Sequence, residues 1–364
     1  TMKPVVIAGY KRSPFHFAHK GQLVKKRPDD MAADVVRGLI ESSGVDPAGI
    51  EDLIMGCAFP EGEQGFNVAR IVGLLADLPI SVAGVTVNRF CGSSMQSIHI
   101  AAGAIQMNAG DAFICAGVES MSRVPMGGYN PMPNADLYER NEGAYMAMGE
   151  TAENLAQKYQ IPREEQEALA VSSHAKATAA REEGRLAGEI VAIDCDGETI
   201  DQDGCIRPGT NAAALANLEP AFDAEGTVTA GTSSPLTDGA SAVLVCTEDY
   251  AAANGLEVSA KIKSIAVAGC QPEIMGYGPV VSTAKALERA GIRMADVDVI
   301  ELNEAFAVQA LACVRELAFD LDKMNLDGGA IALGHPLGAT GARIAGKAAQ
   351  LLQREDKQYA LATQ

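Results

Sequence analysis

Short apolar runs alternate along this chain with longer, alanine-rich stretches that have helical spacing. Short apolar runs suit strands that are buried in a sheet, and the longer stretches suit helices that cover it. The alternation therefore predicts an α/β fold. The predicted strands are 5–8, 52–56, 112–117, 242–246, 297–302 and 358–363. The predicted helices are 30–43, 93–108, 163–183, 282–290 and 339–353.

The chain also carries a distant internal repeat. Residues 39–59 resemble residues 287–306, since both read as a helix end, a glycine turn, an acidic linker and a strand. Residues 100–117 resemble residues 344–361 as a helix followed by a strand. These similarities predict a duplicated α/β half, with residues 120–234 as an insert between the copies. A chance likeness of two helix–strand pairs is the alternative.

The charge of the chain limits its partners. The sequence has 29 Lys and Arg against 47 Asp and Glu, a formal net charge of −18. We therefore expect neither a nucleic-acid partner nor a general affinity for anionic membranes. No apolar run approaches the roughly 18–20 residues of a membrane span. Residues 2–7 predict a buried strand rather than a leader peptide.

Eight cysteines occur, none in a CxxC pair, and most lie in apolar strands. Free buried thiols fit this pattern better than a disulfide framework or a zinc site. We therefore expect a reducing, cytoplasmic location and no metal centre.

Cys91 is the first candidate for chemistry, within the block 88–95 (NRFCGSSM). An apolar strand, 84–87, leads into a turn, and Cys91 stands at the entrance to an apolar and therefore buried helix. The helix dipole lowers the pKa of a thiol at that end, which predicts a reactive thiolate. The alternative is a small buried cysteine with no chemical role.

His335 is the second candidate, in the glycine-rich segment 328–341. Pro336 keeps it away from helical geometry. A nucleophilic cysteine with a histidine as base suits covalent catalysis. A loop histidine that makes only local hydrogen bonds is the alternative.

Asn303 is the third candidate, because residues 303–306 (NEAF) directly follow the predicted strand 297–302. Ligands of α/β sheets bind at the carboxyl ends of strands. Asn303 could instead cap the following helix, and the two roles are not exclusive.

Six blocks together resemble the thiolase family in order and spacing, over nearly the whole chain. They are 88–95, 117–122 (GVESMS), 226–231 (GTVTAG), 275–279 (MGYGP), 303–306 and 334–338 (GHPLG). The wording around Cys91 is more similar to degradative 3-ketoacyl-CoA thiolases than to biosynthetic acetoacetyl-CoA thiolases. Ala147 also stands where many biosynthetic members carry a histidine.

The resemblance implies a thiolase fold, with duplicated α/β halves, mixed sheets around buried helices, and an inserted loop domain that covers the substrate. The implied domains are residues 1–119 with 235–264 for the N-terminal half, 120–234 for the insert and 265–364 for the C-terminal half.

The resemblance also implies an acyltransferase of fatty acid β-oxidation. Cys91 would attack the 3-keto carbon of a 3-ketoacyl-CoA, with His335 assisting its deprotonation. Acetyl-CoA would leave, and free CoA would collect the shortened acyl group from the Cys91 thioester. His335 and a water held by Asn303 would stabilise the enolate oxygen. A biosynthetic acetoacetyl-CoA thiolase and a catalytically silent acyl-CoA-binding protein are the alternatives.

The implied ligands are CoA and acyl-CoA, with CoA as a co-substrate and no tightly bound cofactor. Four residues match family positions that line the CoA channel: Ser234, Phe222, Met148 and Phe306. The family forms dimers and dimers of dimers, so we expect a homodimer or homotetramer. Association with a multifunctional β-oxidation subunit is left open by the sequence.

Thiolases carry a second catalytic cysteine, in a Cys-x-Gly motif just after the strand that matches residues 359–363. The sequence ends at Gln364, and Cys313 is its last cysteine. We expect a sequence truncated before the last strand, rather than an enzyme that lacks it. Without that acid, cleavage should slow more than acyl transfer to Cys91, because cleavage must protonate a carbanion.

Overall fold

The computed structural model describes residues 2–364. The strands are β1 Val5–Arg12, β2 His16–Phe17, β3 Asp52–Gly56, β4 Ala83–Val87, β5 Ala112–Ser120, β6 Ile193–Cys195, β7 Glu198–Ile200, β8 Thr237–Thr247, β9 Ala260–Lys261, β10 Val299–Leu302 and β11 Ala360–Thr363. The α-helices are α1 Pro28–Ser43, α2 Val68–Leu75, α3 Ser93–Gln106, α4 Ala135–Arg140, α5 Met148–Tyr159, α6 Arg163–Glu182, α7 Ala212–Ala216, α8 Glu248–Ala253, α9 Gly278–Ala290, α10 Ala307–Leu317, α11 Ala330–Leu333 and α12 Thr340–Arg354.

The predicted α/β fold is confirmed, and each predicted strand and helix is present, with unchanged ends at β3 and with shifted ends elsewhere. The largest shift is at β8, which begins at Thr237 rather than at residue 242. Buried polar residues such as Asp238 and Ser241 interrupt the apolar run there, so hydrophobic pattern alone shortens the strand.

The main sheet is mixed and has the order β4-β3-β5-β8-β1-β9, with β2 paired to β8. β3 runs parallel to β4 and β5, and β8 runs antiparallel to β5 and β1. The chain therefore returns from the insert to the middle of this sheet.

Helix α1 shows how local sequence sets an element that covers the sheet. Pro28 occupies its first turn, where its missing N–H costs nothing, and Asp29 and Asp30 favour the positive helix end. Gly44 ends the helix at φ 72°, with its N–H donating to the Ile40 carbonyl at 3.0 Å. The buried side chains that face the core include Met31, Val35, Val36 and Leu39.

The internal repeat is visible in the order of the elements. Helix α1, a 3-10 turn at Pro47–Gly49 and β3 recur as α9, a 3-10 turn at Met294–Asp296 and β10. Likewise α3 and β5 recur as α12 and β11, and β10 pairs with β11 in parallel as β3 does with β5. Within residues 2–364 the second half forms only this two-stranded sheet, so the larger mixed sheet belongs to the first half. The domain bounds themselves stay a prediction.

The helix that follows Cys91, α3, was expected to be buried, but it is less buried than α12. Helix α12 is buried from Thr340 to Ala349. Helix α3 is buried on one side only, since Met95 and His99 are half-buried and line a cavity of about 650 Å³ beside segment 260–268 and β11. No α-helix within residues 2–364 has both the length and the apolar character that crossing a membrane requires.

A buried ionic network joins the three parts of the chain. The ammonium of Lys347 on α12 lies 2.6 Å from Glu189 of the insert and 2.5 Å from Asp327. Glu189 also bonds to Arg12 of β1 at 3.0 Å, and all four side chains are at most 2% exposed. Burial alone would raise the pKa of Glu189, but Lys347 and Arg12 lower it to about 2. The carboxylate is therefore charged when the protein is folded at neutral pH.

Replacing Lys347 by methionine should destabilise the protein by about 3 kcal/mol at neutral pH, because two buried carboxylates lose a cation. Because folding depresses the pKa of Glu189, the stabilisation is complete above its ordinary value of 4.5 and is lost as the pH falls toward about 2. The deficit of Lys347→Met, measured by urea unfolding followed by circular dichroism, should therefore shrink over that interval. Lys25→Met is the matched control, because Lys25 pairs with Asp196 at an exposed site. It should change stability by less than about 1 kcal/mol. An equal deficit for both variants would contradict this account.

Candidate functional site

A strained turn carries Cys91 from β4 into α3. Phe90 has φ 45°, a left-handed conformation that is rare for a bulky side chain. The N–H of Phe90 donates to the Asn88 side chain at 2.8 Å, and the Ser93 hydroxyl donates to the Phe90 carbonyl at 2.6 Å. These bonds hold a sharp turn that places Cys91 just ahead of the helix.

The surroundings of Cys91 are apolar. Cys91 is half-buried and packs against a small cluster of buried residues: Ala18, Ala58, Met121 and Leu337. Leu337 lies two residues after His335, so the cluster links the Cys91 turn to the His335 loop. The N–H of Ala342 also donates to the Ser94 hydroxyl at 2.8 Å, which fixes α12 to the start of α3.

His335 is buried and held on three sides. Its Nδ1 lies 2.6 Å from the Thr340 hydroxyl, and its backbone N–H donates to the Thr237 hydroxyl at 2.9 Å. Its Nε2 lies 3.4 Å from the side-chain nitrogen of Asn303. With Asn303 as donor, Nε2 accepts and Nδ1 carries the proton toward Thr340. The structure therefore brings two of the predicted catalytic residues, His335 and Asn303, into direct contact.

The prediction that Cys91 has a low pKa is wrong. Burial, and secondly the negative charge of Glu119, raise the pKa of Cys91 to about 12. Cys91 precedes the first helical residue, Ser93, by two positions, so the helix dipole is outweighed by the loss of solvation. Burial, and secondly Arg343, lower the pKa of His335 to about 3. The resting site thus contains a neutral thiol and a neutral imidazole.

Of the four residues predicted to line a CoA channel, three belong to or contact residues 303–306, the NEAF loop. The fourth packs against the hydrophobic cluster that contains Phe306. The rings of Phe222 and Phe306 meet edge to face, with centroids 5.8 Å apart. The N–H and hydroxyl of Ser234 both donate to the Ala305 carbonyl, at 2.9 and 3.0 Å. Met148 is half-buried against the hydrophobic cluster that contains Phe306. Phe306 belongs to the loop that also carries Asn303, and Phe222 and Ser234 contact that loop.

Sequence reasoning missed three polar residues that hold the site. Thr237 holds the backbone N–H of His335, and Thr340 holds its ring nitrogen Nδ1. Glu119 accepts a hydrogen bond from Gly338, in the loop that follows His335. Glu119 and Thr340 were inside segments singled out from the sequence, but neither a carboxylate nor a hydroxyl carries a sequence signal for its hydrogen-bond partner. Across residues 2–364, no group of three or more His, Cys, Asp or Glu side chains is placed to hold a metal ion.

Two protein-family descriptions together match nearly the whole chain. The family description "Thiolase, N-terminal domain" matches residues 5–249, and "Thiolase, C-terminal domain" matches residues 256–364. The chain therefore belongs to the thiolase family.

The chain is also similar over its full length to curated proteins named 3-ketoacyl-CoA thiolase. The chain is 45% identical to the 3-ketoacyl-CoA thiolase of Bacillus subtilis over 375 residues, covering 100% of this chain and 96% of that protein. It is 50% identical to the 3-ketoacyl-CoA thiolase of Vibrio cholerae over 375 residues, with the same coverage.

Solved structures have the same fold. Human mitochondrial 3-ketoacyl-CoA thiolase in complex with CoA superposes with a TM-score of 0.91 at 35% identity, covering 99% of this chain and 94% of that one. The acetyl-CoA acetyltransferase of Bacillus anthracis superposes with a TM-score of 0.91 at 35% identity, covering 99% and 95%.

The neutral thiol predicts how Cys91 reacts with iodoacetamide. Its alkylation rate should rise about tenfold per pH unit between about pH 6 and 10 without a plateau, because only the thiolate reacts. Peptide mass analysis can follow Cys91 beside Cys270, the other half-buried cysteine, whose pKa burial also raises. A rate for Cys91 that is independent of pH near neutrality would reveal a thiolate–imidazolium pair instead.

Proposed function

We propose that this thiolase cleaves 3-ketoacyl-CoA, with CoA as co-substrate, into acetyl-CoA and a shortened acyl-CoA. The observation that carries the proposal is the buried His335–Asn303 pair, 3.4 Å apart, beside the apolar cluster that contacts Cys91. The identities of 45% and 50% to proteins named 3-ketoacyl-CoA thiolase support the substrate class.

Cys91 is the nucleophile in this scheme. Because its pKa is raised to about 12, the thiolate does not accumulate, and the thiol proton passes to Nε2 of His335 as sulfur attacks the 3-keto carbon. Thr340 holds the other ring nitrogen, so Nε2 is the nitrogen that takes the proton, and it gives up its contact with the Asn303 amide when it does so. Cleavage of the C2–C3 bond leaves the acyl group on Cys91 as a thioester, and the released enolate takes up one proton at C2 to become acetyl-CoA. The CoA thiol then attacks the thioester, which releases the shortened acyl-CoA and returns the proton to the Cys91 sulfur.

The departing acetyl-CoA develops negative charge on its thioester oxygen. After proton transfer, Nε2–H of His335 is a donor, and the Asn303 amide lies beside it. Donors aimed at developing charge contribute about 3 kcal/mol each in other enzymes. Asn303 and His335 thus form the anion-stabilising side of the proposed site.

CoA binding is supported by two observations. The human relative that superposes on this chain is a complex with CoA. Phe222, Phe306, Ser234 and Met148 form a mixed apolar and polar surface at the loop that carries Asn303. We assign this surface to the pantetheine and adenine parts of CoA.

Condensation of two acetyl-CoA molecules is the second candidate. This candidate is supported by the superposition on an acetyl-CoA acetyltransferase. That superposition has the same TM-score and identity as the one on the human thiolase. The two functions differ in the acyl group that Cys91 carries. A thiolytic enzyme accepts acyl groups longer than acetyl, whereas a condensing enzyme is selective for acetyl.

Incubation with a 3-ketoacyl-CoA should leave the acyl mass on the peptide that contains Cys91. Cys91→Ser should lose nearly all thiolysis, because a hydroxyl is far less acidic than a thiol. Cys270→Ser is the matched control, since Cys270 is also half-buried, and it should keep its activity. Acylation at another cysteine, with Cys91 unmodified, would refute the mechanism.

Comparing kcat/KM for 3-ketoacyl-CoA substrates of increasing chain length with the rate of acetyl-CoA condensation then separates the two functions.

The exposed edge of the main sheet supports a homo-oligomer. β4 ends the sheet and has β3 as its neighbour in the sheet order. Large apolar side chains lie exposed in this strand and its flanking segments: Phe66, Leu74, Ile80, Val85 and Phe90. Unpaired strand edges with exposed apolar residues favour pairing with another chain. We propose a second copy of this chain as that partner.

Val85→Lys should convert the oligomer to a monomer in light scattering, because a charge on a strand edge opposes pairing. Val258→Lys is the matched control, since Val258 is also 37% exposed but precedes β9 at the other edge. A wild-type protein that is monomeric at micromolar concentration would refute the proposed association.

A cytoplasmic location is proposed on chemical grounds. All eight cysteines are free thiols in the structure. Reducing compartments keep thiols in this state, whereas secreted proteins with many cysteines usually oxidise them.

A further inference from the structure

Glu119 is a buried carboxylate that the reaction scheme does not use. It lies near the end of β5 and is 1% exposed. One carboxylate oxygen accepts N–H bonds from Ala58 at 2.8 Å and Gly338 at 3.1 Å. The other accepts from the N–H of Phe59 at 3.1 Å and the side chain of Gln64 at 3.0 Å. The thiol of Cys57 also donates to this second oxygen, at 3.6 Å, so one side chain satisfies five donors.

These donors belong to both halves of the molecule. Ala58 and Phe59 follow β3 in the first half, whereas Gly338 follows His335 in the second half. Ala58 and Leu337, the neighbour of Gly338, both belong to the apolar cluster that Cys91 contacts. The carboxylate thus ties together two loops that border the nucleophile.

The loop that carries His335 approaches this carboxylate very closely. A Cβ atom on Gly338 would lie 2.9 Å from the Glu119 oxygen and 2.8 Å from Cα of Cys57. A Cβ atom on Gly117 would lie 2.1 Å from the Gly338 carbonyl. The two loops are therefore in backbone contact at the place where both donate to Glu119.

The negative charge of Glu119 does not stabilise the thiolate form of Cys91. Its hydrogen-bond donors within residues 2–364 are neutral N–H groups and the Cys57 thiol, so no cation offsets its charge at contact distance. Its negative field adds to burial in raising the pKa of Cys91. Because this buried carboxylate disfavours the Cys91 thiolate, any contribution it makes to catalysis must come from the positions of the residues that it holds.

We propose that Glu119 is a positioning residue of the catalytic site. Its carboxylate fixes the loop that carries His335 against the loop after β3, and so sets the approach of His335 to Cys91. The proposal rests on the roles of Cys91 and His335 in the proposed function.

Glu119→Gln separates geometry from charge. The amide keeps one acceptor oxygen and puts an NH2 group against two N–H donors, so the loops should shift. Misplacement by about 1 Å can cost roughly 10²-fold in rate, and we expect kcat for thiolysis to fall by about that factor. KM for CoA should change little, because the CoA-lining residues contact the NEAF loop. Removing the negative charge should at the same time accelerate alkylation of Cys91 by neutral iodoacetamide near pH 8.

Two further variants complete the test. Glu119→Asp keeps the charge but is one methylene shorter, so kcat should fall without faster alkylation. Val36→Ala on α1 is the control for lost stability, since Val36 is fully buried in the core under the main sheet. It should leave both rates near wild type at a temperature where the protein is folded.

Opposite changes in Glu119→Gln, slower thiolysis with faster alkylation, would establish the positioning role. Unchanged kcat in Glu119→Gln would overturn it, and so would a Val36→Ala variant that loses as much kcat as Glu119→Gln does. The wild-type protein tests the underlying function separately. If it forms no acyl adduct on Cys91, the proposed function fails. If the adduct forms and Glu119→Gln turns over normally, only the role of Glu119 fails.

Discussion

The arrangement of the site depends on one buried ammonium group. Lys347 holds α12 to Glu189 of the insert and to Asp327, while Glu189 reaches Arg12 of β1. Buried charges are tolerated only when they are paired, so these segments are fixed relative to one another. Thr340, at the start of the same helix, bonds to His335. The helix that holds one ring nitrogen of the proposed base is therefore fixed by a network of charges outside the site.

Burial also determines the chemistry at the centre. It raises the pKa of Cys91 and lowers the pKa of His335, so both groups rest in their neutral forms. A neutral pair avoids burying two charges before substrate arrives, since desolvated ions are costly. In the proposed mechanism, charge then develops only as the substrate carbonyl accepts the sulfur, beside donors that are already in place.

Much of the fold could be predicted because its signals are local. The strand β3 and the helix α1 follow from an apolar run and from a proline start with a glycine end. The repeat of α3 and β5 as α12 and β11 was visible in the sequence for the same reason. The full length of β8 was not, because its polar residues are satisfied by partners far away in the chain. Asp238, for example, accepts the N–H of Ser122 at 3.0 Å, at the far end of the insert.

The sequence by itself determined the α/β class, the family, and the three residues at which chemistry was expected: Cys91, His335 and Asn303. These conclusions rest on short motifs and on hydrophobic spacing, which are written in neighbouring residues. Only the tertiary structure decided that Asn303 lies 3.4 Å from His335, that Glu119 joins the two halves, and that Cys91 is a neutral thiol. Hydrogen-bond partners and the loss of solvent depend on residues that are distant in sequence, so no local pattern encodes them.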